Sequence, residues 1–103
     1  MLTTVVPGFS SAIASELPSF EIILKEGRIE PKRLEVPANV KFKLIIKNQG
    51  NDPIEFESFD VQVEKVLSPG AQSFVVLHPL PAGTYQFFDE FHPETSEMLL
   101  IVK

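Results

Sequence analysis

Turn-forming residues break this chain roughly every ten positions, the rhythm of an antiparallel β-sandwich rather than of a helical bundle. The breaks are Gly27 and Pro31, then Pro37-Ala38-Asn39, the cluster from Asn48 to Pro53, Ser68-Pro69-Gly70, and Pro79 to Gly83. Between them lie runs of strand length at residues 20–25, 34–36, 40–48, 54–59, 61–67, 72–77, 84–88 and 98–102. The clearest is 40–48, where Val40, Phe42, Leu44 and Ile46 alternate with Lys41, Lys43, Ile45 and Lys47. A period of two puts the first set on a buried face and the second on a mostly wet one. No segment carries a helical stripe over three turns.

The totals agree with one small all-β domain. A chain of 103 residues leaves little room for a second domain, and 44% hydrophobic residues with nine Phe supply a core. The formal net charge is -5 and no basic stripe is present, which argues against a nucleic-acid partner. There are no cysteines. That removes disulfides, thiolate nucleophiles, zinc-thiolate sites and blue-copper ligation together. Residues 1–14 carry no charge and end in Ala12-Ile13-Ala14, a small-x-small pattern of the kind signal peptidase cleaves. No basic region precedes it. Residues 1–19 are therefore expected to be the remnant of an export signal or a flexible arm, and 20–103 the folded domain. No run is long enough to span a bilayer, so an integral membrane protein is not expected.

The last third carries a family resemblance. Gly83-Thr84-Tyr85-Gln86-Phe87-Phe88-Asp89-Glu90-Phe91-His92 resembles the final hairpin of cupredoxins, whose pattern is Gly-Thr-Tyr-x-Phe-x-Cys-x-x-His. The match sets Asp89 at the ligand Cys, His92 at the ligand His and Met98 near the axial Met. Upstream, Val36-Pro37 followed by a strand ending in Asn48, and Pro69-Gly70, are similar to the family in order and spacing. The resemblance covers residues 20–103 and implies a Greek-key β-sandwich of seven to eight strands, cupredoxin-like. A narrower likeness rests on Glu55-Phe56-Glu57-Ser58, Val63-Glu64-Lys65-Val66 and the stretch from Phe87 to Pro93. These resemble the small cysteine-less periplasmic proteins that accompany bacterial ferrous-iron permeases. The chain departs from them at Asp89, where Gly is usual, and at Glu97-Met98.

The resemblance implies a metal site built from Glu55, Asp89, Glu90 and His92, with Glu57 and Met98 in reserve. The family's first ligand His would fall at Ile54 or Glu55. Asp89 is the ligand by the broader likeness and Glu90 by the narrower, because side chains alternate along a strand and only one of the two faces His92. Glu97 is a further oxygen donor, Met98 also suits core packing, and His78 lies in the opposite turn region. Carboxylate plus imidazole is a hard donor set that suits Fe(II), Fe(III), Mn(II) or Cu(II), with iron preferred and Cu(II) as the alternative, and no type 1 copper centre is expected. The implied function is periplasmic binding of ferrous iron, with oxidation or relay of the ion, in partnership with a periplasmic iron-binding protein or an inner-membrane iron permease. In that reading the chain is an accessory ferroxidase at most and not a blue-copper electron carrier. The alternative is a metal-free cupredoxin-fold module for protein interaction.

Overall fold

Alternating apolar side chains fold into nine strands in the computed structural model, which describes residues 17–103. Of the expected remnant or arm at 1–19, residues 1–16 lie outside the described residues, and Ser19 already opens the first strand. The strands are β1 (Ser19–Lys25), β2 (Arg28–Glu30), β3 (Arg33–Val36), β4 (Phe42–Asn48), β5 (Ile54–Ser58), β6 (Val63–Leu67), β7 (Gln72–Leu77), β8 (Gly83–Asp89) and β9 (Glu97–Val102). They form a four-stranded sheet in the order β2-β1-β4-β7 and a five-stranded sheet in the order β3-β9-β8-β5-β6. The expected all-β sandwich is borne out.

Two details differ from the sequence expectation. The extra strand is β2, which pairs Lys25 with Arg28 across a two-residue turn. Glu26 and Gly27 both adopt positive φ, 52° and 75°. That is the backbone a tight hairpin needs to match strand twist, and a three-residue strand is too short to show a period. The sheets are also not purely antiparallel, because β1 pairs parallel with β4 and β3 parallel with β9. The chain leaves the first sheet after β2, adds β3 to the second and returns as β4, so the returning strand runs the same way as β1.

The core sits between the sheets. Phe42, Leu44 and Ile46 from β4 are buried, as are Phe56 from β5, Phe87 from β8 and Met98 and Leu100 from β9. The Phe56 and Phe87 rings stack with centroids 5.1 Å apart. Burying side chains of this size contributes about 1.5–3 kcal/mol each. Asn48 closes β4 as a buried polar residue. Its Nδ2 donates to the Asp52 carbonyl at 2.8 Å and its Oδ1 accepts from the Gly50 amide at 3.0 Å. One side chain thus shapes the 49–53 turn, which meets the 26–27 and 90–96 turns at one end of the sandwich.

Candidate metal centre

Residue parity splits the carboxylates of β5 and β8 between two surfaces. Along β5, Ile54, Phe56 and Ser58 point inward while Glu55 and Glu57 point outward. Asp89 ends β8 opposite Phe56, facing inward, and Glu90 follows it as an exposed residue. The sequence-predicted set therefore does not converge on one point.

Inside, Asp89 is 1% exposed and fully engaged. Its Oδ1 accepts from the Glu55 amide at 2.9 Å and the Phe91 amide at 3.0 Å. Its Oδ2 lies 2.8 Å from His92 Nδ1. A carboxylate only accepts, so Nδ1 carries the hydrogen and Nε2 is the nitrogen left free. Ser96, also buried, accepts from the Asp89 amide at 2.8 Å and donates to the His92 carbonyl at 2.5 Å. Thr95 Oγ1 donates to the Gly27 carbonyl at 2.6 Å, which docks the loop on the β1–β2 turn. A Cβ at Gly27 would come within 3.0 Å of Thr95 Oγ1 and 3.2 Å of the His92 ring, so only Gly lets the loop sit so close. His92 lines a cleft of about 60 Å³ with Glu26, Asn48, Asp52 and Ile54.

A type 1 copper ion does not fit this end. The position that the family resemblance gives to a thiolate holds a carboxylate whose oxygens are already paired. Ile54, at one of the two positions where the other imidazole would fall, is an apolar residue in the same cleft. Among the described residues, the buried side-chain polar atoms all have partners, and His92 Nε2, on a part-exposed ring, is the nitrogen that the pair with Asp89 leaves over.

Outside, on the five-stranded sheet, one carboxylate oxygen from each of Glu55, Glu57 and Glu64 falls within 4.8 Å of the others. The hairpin register places Glu57 directly opposite Glu64. Like charges at such a pair destabilise a sheet unless a proton or a cation separates them. The hydrogen bond with Glu64, then burial, then the charges of Glu64, Glu57 and Glu90 push Glu55 up to about 7. Partial burial first, and then the Glu90 and Glu64 charges, raise Glu57 as well. Phe88 and Phe59 flank the cluster, edge to face at 5.3 Å.

The structure thus brings Asp89 and His92 together at the end, and Glu55, Glu57 and Glu90 together on the face. Met98 is fully buried opposite Phe87 and serves the core. Glu97 accepts from Gln86 Nε2 at 2.7 Å. His78 lines a different groove with Asp60 and Leu80. Glu64 was not among the expected ligands. Its signal was the short 59–62 connection, which pairs it with Glu57 once the strands are joined as a hairpin.

Comparison with known proteins adds a family. The sequence profile described as "Cupredoxin-like domain" matches residues 1–102. The uncharacterized protein RP394 of Rickettsia prowazekii (strain Madrid E) is 37% identical over 82 residues, which is 80% of this chain and 66% of that protein. The chain therefore spans about two thirds of that relative's length. Among solved structures, the solution structure of a copper binding protein in the apo form superposes with a TM-score of 0.71 at 17% identity, covering 82% of this chain and 86% of that one. Auracyanin A of Chloroflexus aurantiacus, described as a "blue" copper protein, gives 0.69 at 13% identity over 82% and 98%. A purple cupredoxin from Nitrosopumilus maritimus gives 0.59 at 19% identity over 81% and 98%. At these identities the likeness concerns the fold.

Proposed function

The chain belongs to the cupredoxin-like domain family, and from that footing we propose that it is a metal-binding protein whose ion sits on the outer sheet face, held by Glu55, Glu57 and Glu64 with Glu90 beside them. The observation that carries this reading is the convergence of three carboxylate oxygens within 4.8 Å. Three or four anionic oxygens form a hard donor set, suited to iron or manganese and poorly suited to Cu(I). Iron is the preferred cargo. Anionic oxygen stabilises Fe(III) over Fe(II), so Fe(II) held here gives its electron more readily to an external acceptor. On this reading the protein works in the periplasm within a ferrous-iron uptake system and exchanges the ion with a periplasmic iron-binding protein or an inner-membrane permease. Anaerobic titration calorimetry with Fe(II), then Mn(II) and Cu(II), tests it. One ion per chain is expected, lost in Glu55→Gln/Glu64→Gln and retained in His92→Ala. Binding lost only in His92→Ala would move the ion to the Asp89–His92 end and overturn the assignment.

The second reading is a metal-free interaction module. It is favoured by the closed Asp89–His92 pair and by two exposed aromatics, Phe91 at 50% in the loop beside that pair and Phe59 at 70% beside the outer carboxylates. A wild-type chain that binds none of the three ions would leave this reading standing alone.

A further inference from the structure

Four strands border the two sheets: β2 and β7 in the first, β3 and β6 in the second. A border strand leaves a row of amide and carbonyl groups unpaired, and folded chains guard it with shortness, charge, proline or a bulge. Three of the four are guarded. β2 is three residues long and carries Arg28 and Glu30. β3 is four residues long and carries Arg33 and Glu35. β6 carries Glu64 and Lys65. β7 reads Gln72-Ser73-Phe74-Val75-Val76-Leu77 over six residues, with no charge, proline or glycine. Its outward side chains Phe74 and Val76 are 53% and 37% exposed. Phe74 lies opposite Ile45 of β4, and Lys43 Nζ sits 5.0 Å from the Phe74 ring.

We propose that β7 is the seam of a symmetric dimer, in which β7 of a second copy of this chain adds antiparallel to it and joins the two four-stranded sheets into one of eight. The ladder favours that occupant. The Ala71 carbonyl accepts from the Asn48 amide, so by antiparallel alternation Ser73, Val75 and Leu77 bond to β4 while Gln72, Phe74 and Val76 present their backbone groups to the open border. With Phe74 opposite Phe74 of the second copy, Gln72 falls opposite Val76 on both sides. All three presented residues then enter hydrogen-bonded pairs, and like faces stay together. An uncharged strand of similar length with its own border open fits this one without bringing a charge to it. Among the described residues β7 itself is that strand, and two copies meet with no like charge across the seam. The seam is small beside a standard interface of about 1,600 Å², so the association is weak and rises with concentration.

The chain has no cysteine, so Phe74→Cys carries a single thiol. In the proposed register the two thiols sit on directly opposed residues, within disulfide reach. Mild oxidation of the full chain is expected to give a covalent dimer much faster than Thr84→Cys, an exposed position on the other sheet. Equal rates would overturn the proposal. Sedimentation of the wild type should show a dimer fraction that grows with concentration and is indifferent to a chelator. Phe74→Lys should shift that midpoint upward at least about tenfold while the circular-dichroism spectrum of the folded chain is retained. A wild type that stays monomeric up to about millimolar concentration, or a Phe74→Lys variant that associates equally well, would also overturn it.

Discussion

Asp89 and Glu90 are neighbours in the chain and opposites in circumstance. Asp89 turns inward, meets two amides and an imidazole, and has every acceptor occupied. Glu90 turns outward and joins three other carboxylates that have little but one another, raising Glu55 to about 7. The contrast teaches that a buried charge is tolerated when its partners are prearranged. A half-exposed cluster of like charges instead stores a demand for a proton or a cation. In this chain the inner pair is closed on its own partners, and the outer group is the one left crowded.

That comparison breaks most visibly at Asp89. Asp89→Ala orphans two amides and the His92 ring, and the expected loss is about 3–5 kcal/mol of folding free energy, read from urea unfolding. Because His92 keeps partial solvent access, the value should fall toward the lower end. A loss under about 1 kcal/mol would show that the inner network holds nothing. Next comes the outer group. Glu55→Gln should weaken Fe(II) binding by at least about tenfold, using as a lower bound the loss typical for a residue that merely supports a metal ligand. It should at the same time raise the melting temperature of the metal-free protein above neutral pH, because one of the crowded charges is gone.

The pH profile sharpens the same distinction. Glu55 has a folded pKa raised above its ordinary value of 4.5 to about 7. Between those values the folded chain binds the extra proton and the unfolded chain does not. The stability from this group is fully present below pH 4.5 and is lost as pH rises through 7. Differential scanning fluorimetry of metal-free protein should show melting temperature falling from pH 5 to pH 8, with a shallower fall in Glu55→Gln. Metal affinity should move the other way and strengthen over the same interval, as protons cease to compete. At the inner end, His92→Ala leaves the buried Oδ2 of Asp89 without its partner, so about 1.5–3 kcal/mol of stability should be lost with no change in ion affinity.

Much of the fold was legible because β4 and β5 bury alternate residues against a dry core. Phe42, Leu44 and Ile46 announce their face directly, and the end of β8 is marked by an aromatic-rich run that terminates in Asp89. The parallel pairings were not legible, since they depend on where the chain crosses between sheets and no local pattern records that. The same limit governs the site. Alternation alone says that Glu55 and Glu57 share a face and that Asp89 and Glu90 do not. It takes the register of β5 on β6 to bring Glu64 opposite Glu57. It also takes the pairing of β5 with β8 to turn Asp89 inward beside Phe56. Glu55 contributes its amide to one region and its carboxylate to the other, a division that side-chain identity cannot foretell.

The parallel run of β1 beside β4 has a practical corollary. Ser19 pairs with Lys43 while Leu24 pairs with Asn48, and the Lys103 amide bonds back to the Val36 carbonyl. Both boundaries of the described chain therefore emerge from the pole opposite His92. A tether, fluorophore or fused domain attached at either boundary would hang from that far pole and leave the histidine cleft facing away from it, as a lamp faces away from its bracket.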